Sequence, residues 1–190
     1  MCSSDLYDDI NGVLYIGLND NLMRALPDGT ERRLLVSGTG AIKRIRLDMT
    51  NEKVYWQANG GIYRADLDGS NDEVVIGSSQ INFDIDVVNN LVLYQEGTTF
   101  MKAGLDGSSP STILDPGLGS PLGIAAEPVN QRVYWTRGCR SINPETSGVG
   151  YIGYDGTGPV SILPAPLDGP SYGDIRVSGN KIQVRETVGS

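Results

Sequence analysis

The chain has 190 residues, 39% of them hydrophobic, with 25 Gly and 10 Pro spread along it in turn-like pairs. That composition fits one globular domain of many short strands and argues against disorder. A net charge of −8 repels phosphate backbones, which argues against nucleic acid, and no apolar run is long enough for membrane insertion. With no His, and with Cys2 and Cys139 as the only cysteines, neither a Ser–His–Asp or Cys–His mechanism nor a disulfide framework can be built.

Residues 1–6, Met1 to Leu6, share nothing with the rest of the chain and lack the apolar core of a signal peptide. They are expected to be foreign, the translated end of a sequencing adapter, with the protein proper starting near Tyr7. From there a repeat organises the chain. Apolar–Tyr pairs recur at Leu14-Tyr15, Val54-Tyr55, Leu93-Tyr94 and Val133-Tyr134, at intervals of about 40 residues. Asp-Gly pairs recur in step at Asp28-Gly29, Asp68-Gly69, Asp106-Gly107 and Asp155-Gly156. The one long interval reflects an insertion between Arg137 and Gly150. The units are expected near 7–37, 41–77, 81–115 and 121–164, within a domain spanning 7–190. Tyr172–Val177 and Lys181–Arg185 supply the first two strands of an incomplete fifth unit, 172–190.

The second unit displays the internal plan. Ile42–Leu47 reads as a strand, and Asp48-Met49-Thr50-Asn51 as a turn. Lys53–Gln57 is a second strand rich in β-branched and aromatic residues, and Asn59-Gly60-Gly61 a tight turn. Ile62–Leu67 and Glu73–Ile76 are the third and fourth strands, separated by the Asp68-Gly69-Ser70 turn. Four strands in about 40 residues make one blade of a β-propeller. Strings such as Val54-Tyr55-Trp56 are apolar on both faces. A lone blade cannot bury both, so the blades must stack. The expected fold class is all-β: a β-propeller of about four and a half four-stranded blades.

The strings Ile45-Arg46-Leu47-Asp48, Val54-Tyr55-Trp56 and Ile62-Tyr63-Arg64-Ala65-Asp66-Leu67-Asp68-Gly69-Ser70 resemble the YWTD, or class B, repeats of low-density-lipoprotein-receptor-type proteins. So do Gly123 to Asn130 and Val133-Tyr134-Trp135-Thr136 in the fourth unit. The last Asp of the motif is missing from every unit. Trp is replaced in the first and third units, where Ile16 and Gln95 are expected to stand. The resemblance implies a six-bladed ring, extracellular or at the cell surface, that binds protein ligands and has no catalytic activity.

Carboxylates are the only catalytic candidates. Asp48, Asp86 and Glu127 end the inner strand at one point of the repeat, and a group repeated in every blade is expected to bond the turn after it. The Asp-Gly pairs lack the ligand density of a calcium loop. Cys139, in the insertion Gly138–Gly148 with Arg140 and Pro144, is expected to be an incidental loop thiol.

Binding is expected where the repeat is broken. Four and two positions before the end of each inner strand, charge varies: Arg44, Arg46, Asn82, Asp84, Asp174 and Arg176. These six form the candidate ligand-binding set, with the arginines suited to a peptide carboxylate. The competing structural reading is a set of neutralising pairs between blades, such as Arg46 with Asp84. The sequence thus points to a non-catalytic, cofactor-free scaffold that binds a protein or peptide and belongs to a larger extracytoplasmic protein. The alternative is a propeller hydrolase of gluconolactonase type, with a central metal for which Asn82 and Asp174 are the nearest ligands. An open ring also leaves apolar blade faces uncovered, so the isolated chain is expected to self-associate.

Overall fold

The computed structural model describes residues 4–77, 80–114, 123–137, 148–164, 171–178 and 181–187. Among the described residues, eighteen antiparallel strands follow one another as meanders. Blade 1 is β1 (Ser4–Asp8), β2 (Val13–Leu18), β3 (Asn21–Ala25) and β4 (Arg33–Ser37). Blade 2 is β5 (Arg44–Asp48), β6 (Lys53–Ala58), β7 (Gly61–Asp66) and β8 (Glu73–Ile76). Blade 3 is β9 (Gln80–Asp86), β10 (Leu91–Glu96), β11 (Thr99–Gly104) and β12 (Ser111–Leu114). Blade 4 is β13 (Gly123–Glu127), β14 (Arg132–Arg137), β15 (Gly148–Gly153) and β16 (Val160–Pro164). The hairpin β17 (Ser171–Ser178) and β18 (Lys181–Thr187) forms a half blade.

The chain divides into two compact units. Unit 1, Met1–Gln80, carries blades 1 and 2; unit 2, Ile81–Ser190, carries blades 3 and 4 and the half blade.

Turn chemistry sets the hairpins. Asn59 and Gly60 both take positive φ, 49° and 78°, between the paired Ala58 and Gly61. That is the two-residue turn whose twist matches its strands, and Asn-Gly is the pair that tolerates it. Side-chain alternation then sends each strand's residues to opposite faces. In β13, Ile124 and Ala126 join Leu93, Phe100 and Ile113 of blade 3 in one buried cluster, with Trp135 and Ile152. Ala125, one residue away, packs instead with Tyr134, Val149 and Ile175 of the half blade. In unit 1, Val13, Tyr15 and Leu22 of blade 1 close on Ile45, Val54, Trp56 and Ala65 of blade 2. Each of these three seams is therefore a two-walled apolar core, as the unsupported faces of single blades require.

Register corrects one sequence alignment. In blade 2, Trp56 faces Tyr63 and Gln57 faces Ile62. In blade 3, Tyr94 faces Met101 and Gln95 faces Phe100. Counted back from the Asp-Gly turns, Tyr94 occupies the tryptophan place and Leu93 the tyrosine place. Gln95 shares the place of Gln57. Residue identity pulls Tyr94 one step out of line; backbone pairing fixes it, since a one-residue slip would turn the whole strand inside out.

Candidate functional site

Asp8, Asp48, Asp86 and Glu127 end the four inner strands, and all are buried. Each binds the turn after it. Asp48 Oδ1 accepts from the backbone N–H of Thr50 at 3.0 Å and of Asn51 at 2.9 Å, and its Oδ2 accepts from Asn51 Nδ2 at 2.7 Å. Asp8 does the same with Ile10 and Asn11. Asp86 binds Asn89, and Glu127 binds Val129 and Asn130. The structural role expected for Asp48, Asp86 and Glu127 is what the geometry displays. Asp8 is a fourth member, with its signal, an Asn three residues on, already in the sequence. Burial works to raise the pKa of Asp8. The hydrogen bonds from Asn11 and Ile10, with Arg24 nearby, outweigh it and hold the carboxyl below its usual range.

The Asp-Gly turns repeat a second device. Asp28, Asp68 and Asp155 each accept from the hydroxyl and backbone N–H two residues on, which lowers their pKa values. The glycine after the aspartate has positive φ, and at two of these turns it has no room for a side chain. A Cβ on Gly69 would lie 2.6 Å from the carbonyl oxygen of Leu35, and one on Gly156 2.5 Å from that of Ile113. These two turns thus pack against the preceding blade within each unit.

The seams differ in polarity. Between blades 3 and 4, the Tyr154 hydroxyl donates to Asp86 Oδ2 at 2.9 Å, and Lys102 Nζ donates to the Tyr154 carbonyl at 2.8 Å. Asp84 Oδ2 accepts from the Ala126 N–H at 2.8 Å, and Asn89 Nδ2 donates to the Pro128 carbonyl at 3.1 Å. Burial and the Asp86 carboxylate push the Tyr154 hydroxyl far above its ordinary pKa. Between blades 1 and 2, Tyr15 Oη donates to the Leu67 carbonyl at 3.3 Å, and Asn59 Nδ2 donates to the Thr39 carbonyl at 3.2 Å.

The six candidate binding residues fall in both units. Arg44 and Arg46 lie half-buried on β5, opposite Gln57 and Tyr55, and Arg46 Nη1 donates to the Ile45 carbonyl at 2.9 Å. Asn82 is buried on β9, its Nδ2 3.4 Å from Gln95 Oε1, and Asp84 forms the tie to Ala126. Asp174 and Arg176 share one face of β17, with Oδ2 and Nε 3.8 Å apart and the Arg176 side chain 61% exposed. Asp84 therefore has structural work inside unit 2, and Arg176 is the most open of the set. Among the described residues, no group of three or more His, Cys, Asp or Glu is placed to hold a metal ion.

Topology adds a placement that the sequence leaves open. Gly123, which starts β13, pairs with Thr136 near the end of β14. β14 ends and β15 begins at the sheet end where the inner strand starts, and residues 138–147 between them lie outside the described residues. Asn82 stands near the start of β9, at the corresponding end of blade 3. Cys139, Arg140 and Pro144 lie outside the described residues.

No protein-family model and no curated protein matches the sequence. Solved structures match the fold. A chain of a nidogen/laminin complex superposes with a TM-score of 0.73 at 14% identity, covering 96% of this chain and 71% of the other. The tricorn protease superposes with a TM-score of 0.62 at 11% identity, covering 91% of this chain and 17% of that one. At such identities the likeness speaks for architecture alone. With the meandering four-stranded sheets, it makes this chain a β-propeller of about four and a half blades.

Proposed function

We propose that the chain is part of a non-catalytic, six-bladed propeller of YWTD type that binds a protein or peptide outside the cytoplasm, within a larger protein. The observation that carries this reading is the fold match to a nidogen/laminin complex, a protein–protein assembly, over 96% of the chain. The repeat strings point the same way. Binding uses the sheet ends where the inner strands start, with Arg44 and Arg46 gripping a carboxylate of the ligand. Asn82, Asp84, Asp174 and Arg176 are the candidate positions of unit 2, where Asp84 already ties β9 to Ala126. Guanidinium forks match carboxylates, and a repeat fold becomes selective only where its columns differ.

A displayed-peptide library selected on the wild-type protein provides the test. Peptides so obtained should lose binding to the Arg44→Glu/Arg46→Glu double variant while its circular dichroism stays unchanged. If those peptides bind the variant equally well and only thermal stability falls, the arginines are structural and this site is wrong.

A further inference from the structure

One column of the repeat behaves differently in the two seams. The third strand of each blade carries, four residues before the Asp-Gly turn, Arg24, Arg64, Lys102 or Tyr151. Three of the four are cations. Lys102 crosses its seam and donates to the Tyr154 carbonyl at 2.8 Å. Arg64 turns to its own blade, bonding Glu73 at 2.7 Å. Arg24 does neither: half-buried, it makes no ion pair with any described residue, and it attracts Asp8 and its strand neighbour Tyr15 at longer range.

Beside Arg24 the seam opens into a cleft of about 550 Å³. Blade 1 contributes Asn11, Tyr15 and Arg24 to it; blade 2 contributes Asn51, Lys53 and Ser70. The acids of the blade 2 wall are largely occupied. Asp66 is paired with Lys53 and accepts from Asn71 Nδ2 at 2.6 Å, and Asp68 is held by Ser70. Glu52 and Asp68 are the exposed acids of the lining. Leu67 lines the cleft at the repeat position that Tyr154 takes in the seam between blades 3 and 4. A leucine has no hydroxyl to reach Asp8 as Tyr154 reaches Asp86. The cavity lies within the usual size of small-ligand sites.

We propose that this cleft between blades 1 and 2 binds a carboxylate, with Arg24 as its anchor. The guanidinium offers two parallel donors to the carboxylate oxygens, and the partly desolvated wall strengthens that contact. The Tyr15 hydroxyl, whose bond to the Leu67 carbonyl is long at 3.3 Å, stands ready as a further donor. The site lies beyond the end of β5, away from Arg44 at its start, so it is separate from the rim proposed above. The carboxylate can come from a free dicarboxylic acid or from an acidic side chain of a peptide.

The test is nuclear magnetic resonance titration of the 190-residue chain with succinate and, separately, with a blocked Gly-Glu-Gly peptide. Either probe should shift the amides of Leu67 and Ser70. Succinate alone would mark a small-molecule source, and the peptide alone a protein one. Arg24→Gln should weaken the effective probe by about tenfold or more, whereas Arg64→Gln should leave it unchanged. Leu67→Tyr, which copies the other seam, should abolish the response and serves if Arg24→Gln does not fold. No shift with either probe overturns the proposal. So does equal binding by Arg24→Gln or by Leu67→Tyr.

Discussion

The seam between blades 1 and 2 and the seam between blades 3 and 4 are built from the same columns of the repeat, yet they are held differently. In the first, Leu67 follows the third strand and Tyr15 sends one long bond across. In the second, the place of Leu67 is taken by Tyr154, whose ring enters the apolar cluster while its hydroxyl ends on the buried Asp86. The cation column differs between the two seams as well. Lys102 closes its seam on a carbonyl, and Arg24 lines a cleft. A repeat fold can thus make one joint tight and another receptive without changing a strand.

The largest test of that contrast is removal of the carboxylate. Asp86→Ala leaves the Tyr154 hydroxyl and the Asn89 amides without their acceptor in a buried place. It should lower the unfolding free energy by about 3 kcal/mol, measured by urea denaturation. Asp8→Ala, which orphans turn groups alone, should cost about 1 kcal/mol. Equal losses would mean that Tyr154 adds nothing to its seam. Next in size, Tyr154→Phe should cost about 2 kcal/mol, and Tyr15→Phe no more than about 0.5 kcal/mol. The difference follows from a 2.9 Å bond to a carboxylate against a 3.3 Å bond to a carbonyl. Smaller again, Lys102→Met should cost about 1 kcal/mol by freeing the Tyr154 carbonyl, while Arg24→Met stays near zero. A substantial loss on Arg24→Met would show that the arginine braces its seam and is not a reserved donor.

Much of this is legible in the sequence, and the misses have a common cause. Asp-Gly and Asp-x-x-Asn turns are local, because the bonds that define them span two or three residues. They mark the blades, and they assign Asp48 and Asp86 to their turns. Tyr94 falls out of line in the sequence because similarity of residue type outweighs strand pairing, which a sequence displays only indirectly. Tyr154 carries no such mark, because its meaning depends on a partner, Asp86, 68 residues earlier. The same holds for Asp84, whose charge looks available for a ligand until Ala126 proves to be its partner. Long-range polar ties depend on how two blades approach, and no local pattern encodes that.

Acid should separate the two units by the smallest margin. In unit 1, Asp8 is lowered against its burial by Asn11 and Ile10, Asp28 by Thr30, Asp66 by Lys53 and Asn71, and Asp68 by Ser70. In unit 2 the corresponding case is Asp155, lowered by Thr157. A carboxyl whose folded pKa lies below its unfolded value of 3.8 adds stability above that value and loses it as the pH falls through the folded pKa. Unit 1, with four such groups against one among the described residues, should therefore weaken first as the pH drops below about 4. Each unit carries one buried tryptophan, Trp56 in unit 1 and Trp135 in unit 2, so each can report alone. In a Trp135→Phe variant the emission of Trp56 should shift at a higher pH than that of Trp135 in a Trp56→Phe variant. Exposure of the Asp-Gly carboxyls to solvent screens their contribution, so the gap should be a fraction of a pH unit. Coincident transitions, or Trp135 moving first, would show that the turn carboxylates do not govern acid stability.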